Sequence, residues 1–157
     1  TKMVNVRHIL ITPTEQDEEG NYTDAAWAEA EKKAQDLLAE WQSGEHTEDS
    51  FALMATENSA DTGSASNGGL YEEVYPGQMV DAFDAWCFDA SRQPGDTAVI
   101  QSEYGFHVMY FVGDGDNYRH QLVENALKNN DYTTWYTGVT EKVTYEKASG
   151  MAFVTKK

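Results

Sequence analysis

Hydrophobic positions along this chain change period several times, and each change predicts an element. Val4 to Ile11 reads Val-Asn-Val-Arg-His-Ile-Leu-Ile, β-branched and apolar on both faces. That pattern predicts a strand central in a sheet, stopped by Pro13. From Asp24, an expected helix cap, to Ser43, the residues Trp27, Ala30, Ala34, Leu37, Leu38 and Trp41 recur at helical spacing. Glu29 and Lys33 are placed to pair one turn apart, and Gly44 is an expected stop. A shorter helix follows from Thr47, with Glu48 and Asp49 in its first turn and Phe51, Met54 and Ala55 to bury.

From Asn58 to Gly69 the chain turns to Ser, Gly, Asn, Asp and Thr, a loop with several turn signals. After Pro76-Gly77 a short helix starting near Gln78 can present Met79, Phe83 and Trp86 on one side. The turn at Gln93 to Asp96 leads to two strands, 97–101 and 106–112, joined at Tyr104-Gly105. The order predicts an α+β fold, with helices surrounding a small, largely antiparallel sheet. Beyond Gly113-Asp114-Gly115-Asp116 the spacing of Leu122, Ala126, Leu127, Tyr132, Trp135, Tyr136, Val139 and Val143 predicts an extra C-terminal helical segment. Asn129-Asn130-Asp131 is placed to weaken or interrupt it. Two regions are therefore expected, 3–113 and 114–157. The aromatic surface of the second must dock on something.

Composition narrows the function. A formal charge of −16 over 157 residues repels phosphate backbones and anionic lipid surfaces, so neither nucleic acid nor membrane is an expected partner. No apolar run is long enough to span a bilayer. There is no basic-then-apolar leader, and a chain opening on Thr1 reads as a trimmed fragment. Cys87 is the single cysteine, which excludes an intrachain disulfide and a multi-cysteine metal site. In its apolar run it is expected to be buried and inert. The acidic stretch Glu15 to Glu19 lacks the alternating carboxylates of a calcium loop and reads as a solvated connector.

Three residues are candidates for chemistry. His8 shares its strand face with Val6 and Leu10; His107 shares its face with Met109 and Phe111. Each alone reads as a core histidine. Asp61 lies in the long polar loop, where alone it reads as a turn cap. Together they could form a polar cluster beside an apolar pocket walled by Met79, Phe83 and Phe88.

Four motifs stand in register: Arg7-His8-Ile9-Leu10; Asn58-Ser59 and Asp61 in a loop ending Gly68-Gly69-Leu70; Pro76-Gly77-Gln78-Met79 with Phe83; and Tyr104-Gly105-Phe106-His107-Val108. Their order and spacing resemble the parvulins, a family of peptidyl-prolyl cis/trans isomerases, over Met3 to Gly113. The layout is similar to the isomerase domains of extracytoplasmic foldase lipoproteins of Gram-positive bacteria. The chain departs from the family at Gly69 and Tyr71, where an Asp and a Gly are usual. It also has Glu15 to Glu19 where the phosphate-specific branch is basic, so like charge opposes a phosphorylated substrate.

The resemblance implies a catalytic group of His8, Asp61 and His107, and substrate contacts from Leu70, Met79, Phe83, Phe88 and Tyr104. It implies no cofactor and no metal. It implies clients that are unfolded proteins with Xaa-Pro bonds, an extracytoplasmic setting with a lipoprotein anchor, and an N-terminal chaperone region against which the final helix packs. Two other readings stand beside it. One is a non-catalytic holdase for extended, proline-containing segments. The other is a hydrolase using Asp61 and His8, which lacks any Ser in a nucleophile-elbow context.

Overall fold

The computed structural model describes residues 2–141. Val143, on the final helical stripe of the sequence, lies outside them, as does the segment 143–154. Four strands form one antiparallel sheet in the order β2-β1-β4-β3. They are β1 (Lys2–Ile11), β2 (Leu70–Val74), β3 (Thr97–Ser102) and β4 (Gly105–Asn117). The helices are α1 (Asp24–Ser43), α2 (Glu48–Asn58), α3 (Asp81–Cys87) and α4 (Tyr118–Thr140), with a 3₁₀ turn at Ala65–Asn67. The α+β architecture expected from the patterning is the one observed.

β1 is central because both of its faces are covered. Ile9 and Ile11 join Phe106 and Val108 of β4 against α1 and α2, in a core completed by Ala30, Ala34, Leu37, Trp41, Phe51 and Ala55. Val4 and Val6 join Met109 and Phe111 against Phe83, Trp86 and Cys87 of α3, with Val74 of β2. Period-two alternation thus sends neighbouring residues of one strand into two separate cores.

Local chemistry sets the element ends. Thr23, not Asp24, caps α1, its hydroxyl accepting from the Ala26 amide at 3.1 Å. The ion pair formed on that helix is Lys32–Asp36, one turn apart. Thr47 and Ser50 make a reciprocal capping box on α2. The hydrophobic pattern does not predict β2, since Tyr71-Glu72-Glu73-Val74 has too little alternation. It forms by pairing Leu70 with Arg7 and Tyr71 with Val6. Glu73 adopts a left-handed backbone (φ 53°), and its amide is held by the Asn5 side chain at 2.7 Å.

β4 continues through Gly113 and Gly115 to Asn117, so the first compact unit runs to Tyr118, beyond the break expected at 113. In the second unit α4 runs unbroken through Asn129-Asn130-Asp131. Leu122, Leu127, Tyr132, Trp135 and Tyr136 are all more than half exposed. Tyr132 stacks with Tyr136 along the helix.

Candidate active site

The α3 face of the sheet carries two histidines where the other face carries only apolar side chains in its core. His8 pairs with Met109, and Leu10 with His107, so the two rings sit diagonally on adjacent strands. Both are buried. They stack at 5.2 Å between centroids, with Nδ1 of each 3.0 Å from the other. Phe83 of α3 meets both edge-on, at 5.3 and 5.7 Å.

Asp61 reaches them from the loop. Gly68 and Gly69 make this possible, because the loop must lie directly on β1. A Cβ at Gly69, which has a left-handed backbone, would stand 2.1 Å from the His8 carbonyl oxygen. The His8 amide in turn donates to the Gly69 carbonyl at 2.9 Å. From the far side of β1, Arg7 donates to the Asn67 and Gly68 carbonyls at 3.0 Å each and pairs with Glu48 of α2 at 2.9 Å.

Oδ2 of Asp61 accepts from the Ser64 hydroxyl at 2.5 Å, the Tyr71 hydroxyl at 2.9 Å and His8 Nε2 at 2.9 Å. Oδ1 accepts from the Gly63 amide at 3.1 Å. Burial opposes ionisation of this carboxyl, but the donors from Ser64, His8, Tyr71 and Gly63 outweigh it and bring the pKa down to about 2. Burial lowers the pKa of His8, against the pull of Asp61. It lowers that of His107 to about 4, helped by His8.

These protonation states fix the direction of every bond. A carboxylate only accepts, so His8 Nε2 carries a proton. Neutral His8 then has a bare Nδ1, which accepts from Nδ1–H of His107. Neutral His107 has a bare Nε2, which accepts from the Ser102 hydroxyl at 2.7 Å. The Tyr104 amide donates to Ser102 Oγ at 3.2 Å and closes the far end. The result is a single chain of donors from Tyr104 through Ser102, His107 and His8 to Asp61.

Above the histidines lies a cavity of about 290 Å³, lined by His8, Leu10, Asp61, Tyr71, Met79, Val80, Phe83, Tyr104 and His107. The structure therefore brings His8, Asp61, His107, Met79, Phe83 and Tyr104 together, with Tyr104 at the exposed rim. Two expected members are elsewhere. Leu70 does not line the cavity, because alternation along β2 turns Tyr71 to that side instead. Phe88, just past α3, lines a separate depression with Cys87, Arg92 and Phe111. Burial raises the Cys87 thiol to about 12. Sequence reasoning does not anticipate Ser64, Tyr71 or Ser102 as part of the network. Tyr71 does carry a signal, as a departure from the family pattern at its position.

The model for the PPIC-type PPIase domain matches residues 1–113. The chaperone SurA of Pseudomonas aeruginosa is 33% identical over 134 residues, covering 82% of this chain and 29% of the relative. Foldase protein PrsA 1 of Listeria innocua is 27% identical over 109 residues, covering 69% and 30% respectively. The chain thus spans under a third of the length of these relatives. Among solved structures, the peptidylprolyl isomerase PrsA of Bacillus anthracis superposes with a TM-score of 0.56 at 22% identity, over 82% of this chain and 49% of that one. That likeness shows the shared fold.

Proposed function

This chain belongs to the PPIC-type peptidyl-prolyl cis/trans isomerase family, the parvulins, and we propose that it catalyses rotation about Xaa-Pro bonds in unfolded protein clients without selecting a phosphorylated residue before proline. The observation that supports this most strongly is the apolar cavity floored by two neutral histidines with an anionic carboxylate at its side.

Rotation about the peptide bond must break amide resonance, against a barrier of about 18–20 kcal/mol. The reaction needs no nucleophile. It needs a site that binds the twisted amide better than either planar form. Met79, Phe83 and Val80 suit a proline ring, anchoring one side of the bond. An apolar wall also strips water from the carbonyl, whose hydration favours the charge-separated planar form. Asp61 sits beside that oxygen as a fixed negative charge and disfavours the charge separation further. His8 and His107 act from below as the rigid support that holds Asp61 in place. Among the described residues no Lys or Arg lines the cavity, which leaves a phosphate without a partner there.

Exchange NMR on short peptides with alanine, glutamate or lysine before proline tests the proposal. Uncatalysed exchange takes tens to hundreds of seconds. The expected result is catalysed exchange that is not enhanced by a phosphoserine before proline, and that falls in His8→Ala and Asp61→Ala. Rates equal to buffer in the unmodified chain would sink it.

The exposed aromatic side chains of α4 favour a second reading, a holdase that binds extended segments without turning them over. Suppressed client aggregation with no peptide turnover would select it. On either reading we place the protein outside the cytoplasm, lipoprotein-anchored, with the α4 region packing against an N-terminal chaperone region of the same protein. That setting rests on the likeness to foldase and chaperone relatives.

A further inference from the structure

We infer that Tyr71 is a positioning residue of this site: its hydroxyl fixes the Asp61 carboxylate at the end of the hydrogen-bond chain, while its ring walls the cavity. The inference rests on the isomerase reading above for its kinetic consequences, though not for its structural ones.

Three elements meet at one oxygen. Ser64 donates to Asp61 Oδ2 from within the loop, His8 from β1 and Tyr71 from β2. The Ser64 and Gly63 bonds hold the carboxylate only to its own loop. The His8 and Tyr71 bonds tie that loop to the sheet. Removing the Tyr71 hydroxyl leaves His8 as the carboxylate's single donor from the sheet, so the carboxylate can swing about that bond, while the loop backbone stays held on β1 through Ala60, Gly69 and Arg7. Other groups facing Asp61 do not replace the lost donor. His107 is spent on His8 and Ser102, and α3 presents the apolar Phe83.

The ring has a separate task. It lies 5.3 Å from the His8 ring and 6.5 Å from Phe83, in line with the cavity wall. A glycine, the usual family residue here, supplies neither wall nor donor. In this chain Tyr71 provides both from one position.

Tyr71→Phe keeps the ring and deletes the donor, and Tyr71→Ala deletes both. The first readout is the ¹³C titration of the Asp61 carboxyl, with ¹⁵N shifts of the histidine rings. The second is exchange kinetics on a neutral Ala-Pro peptide. In Tyr71→Phe the Asp61 carboxyl is expected to titrate at higher pH yet stay ionised at neutral pH, so that His8 keeps its Nε2 proton, and kcat is expected to fall about tenfold with KM unchanged. In Tyr71→Ala, KM is expected to rise as well. A Tyr71→Phe chain with unchanged carboxyl titration would overturn the inference. The titration needs no turnover. An inactive parent chain would therefore sink the isomerase reading alone, and the carboxyl titration would still decide the role of Tyr71.

Discussion

One face of the sheet is closed by α1 and α2, twenty and eleven residues long, over Ile9, Ile11, Phe106 and Val108. The other is covered by α3, seven residues long, over Val4, Val6, Met109 and Phe111. The same two strands supply both. The buried polar side chains among the described residues, His8, Ser64 and His107, belong to the network on the other face and not to the core under the long cover. The short cover sets Phe83 on His8 and His107, and beside it the strands turn these rings to an open cavity. The difference teaches that stability and chemistry have been assigned to opposite sides of one strand. Ile9 serves the first and His8 the second.

The sharpest way to test that division is to damage the sealed face. Phe51 is fully buried against Trp41 and Tyr110. Phe51→Ala is expected to cost about 3–5 kcal/mol in denaturant unfolding, while the folded fraction keeps its exchange activity. A loss of specific activity at matched folded fraction would break the division.

The open face should reveal itself through pH. The histidine pKa values are lowered in the folded chain, so between the usual value of 6.5 and about 4 the unfolded state binds more protons. Stability therefore rises with pH through that window and falls on acidification, by on the order of 2–3 kcal/mol for His107. Asp61, whose folded pKa is also lowered, adds a further loss only below its usual 3.8, towards about 2. Urea midpoints at about pH 7.5 and about pH 4.5 check the first window. A His107→Gln chain should flatten the slope.

Arg7 points to the sealed side, where it holds the Asn67-Gly68 backbone, the end of the loop that carries Asp61 to the open side. Arg7→Ala is expected to cost about 1–3 kcal/mol and, unlike Phe51→Ala, to lower activity in the folded fraction. Met79→Ala should lower kcat/KM about tenfold with little change in unfolding midpoint, since it removes apolar surface from the cavity wall. The smallest effect on activity belongs to Cys87→Ala. The thiol is buried and outside the cavity, so exchange rates should not change.

Much of the fold and site is legible in the sequence, and the reasons differ by region. β1, α1 and α2 announce themselves because each buries a continuous stripe with strong period. His8 and His107 are placed by alternation alone, once their strands are known. β2 is not legible, because Glu72 and Glu73 mask its alternation and its pairing depends on Arg7 and Val6, more than sixty positions away. Motif order assigns Leu70 and Phe88 to the cavity, but order does not report which way a side chain turns. Ser64 and Ser102 join the site only through three-dimensional closure. Nothing in their local sequence distinguishes them from other serines. The continuity of α4 through Asn129-Asn130-Asp131 shows intrinsic propensity giving way to the helix on either side.

The irregularities of β1 bear on which changes of chain length the protein can absorb. Its register with β4 shifts between Lys2 and Val4 and again between Asn5 and Val6, then holds without a break from Val6 opposite Phe111 to Ile11 opposite Phe106. An insertion or deletion upstream of Val6 falls where the ladder already accommodates an extra residue. One between Val6 and Ile11 would exchange the two faces of the strand, sending Arg7 or Ile9 to the place His8 now holds. The run from Val6 to Ile11 is therefore constrained in number as well as in kind, while the stretch before it is free to drift.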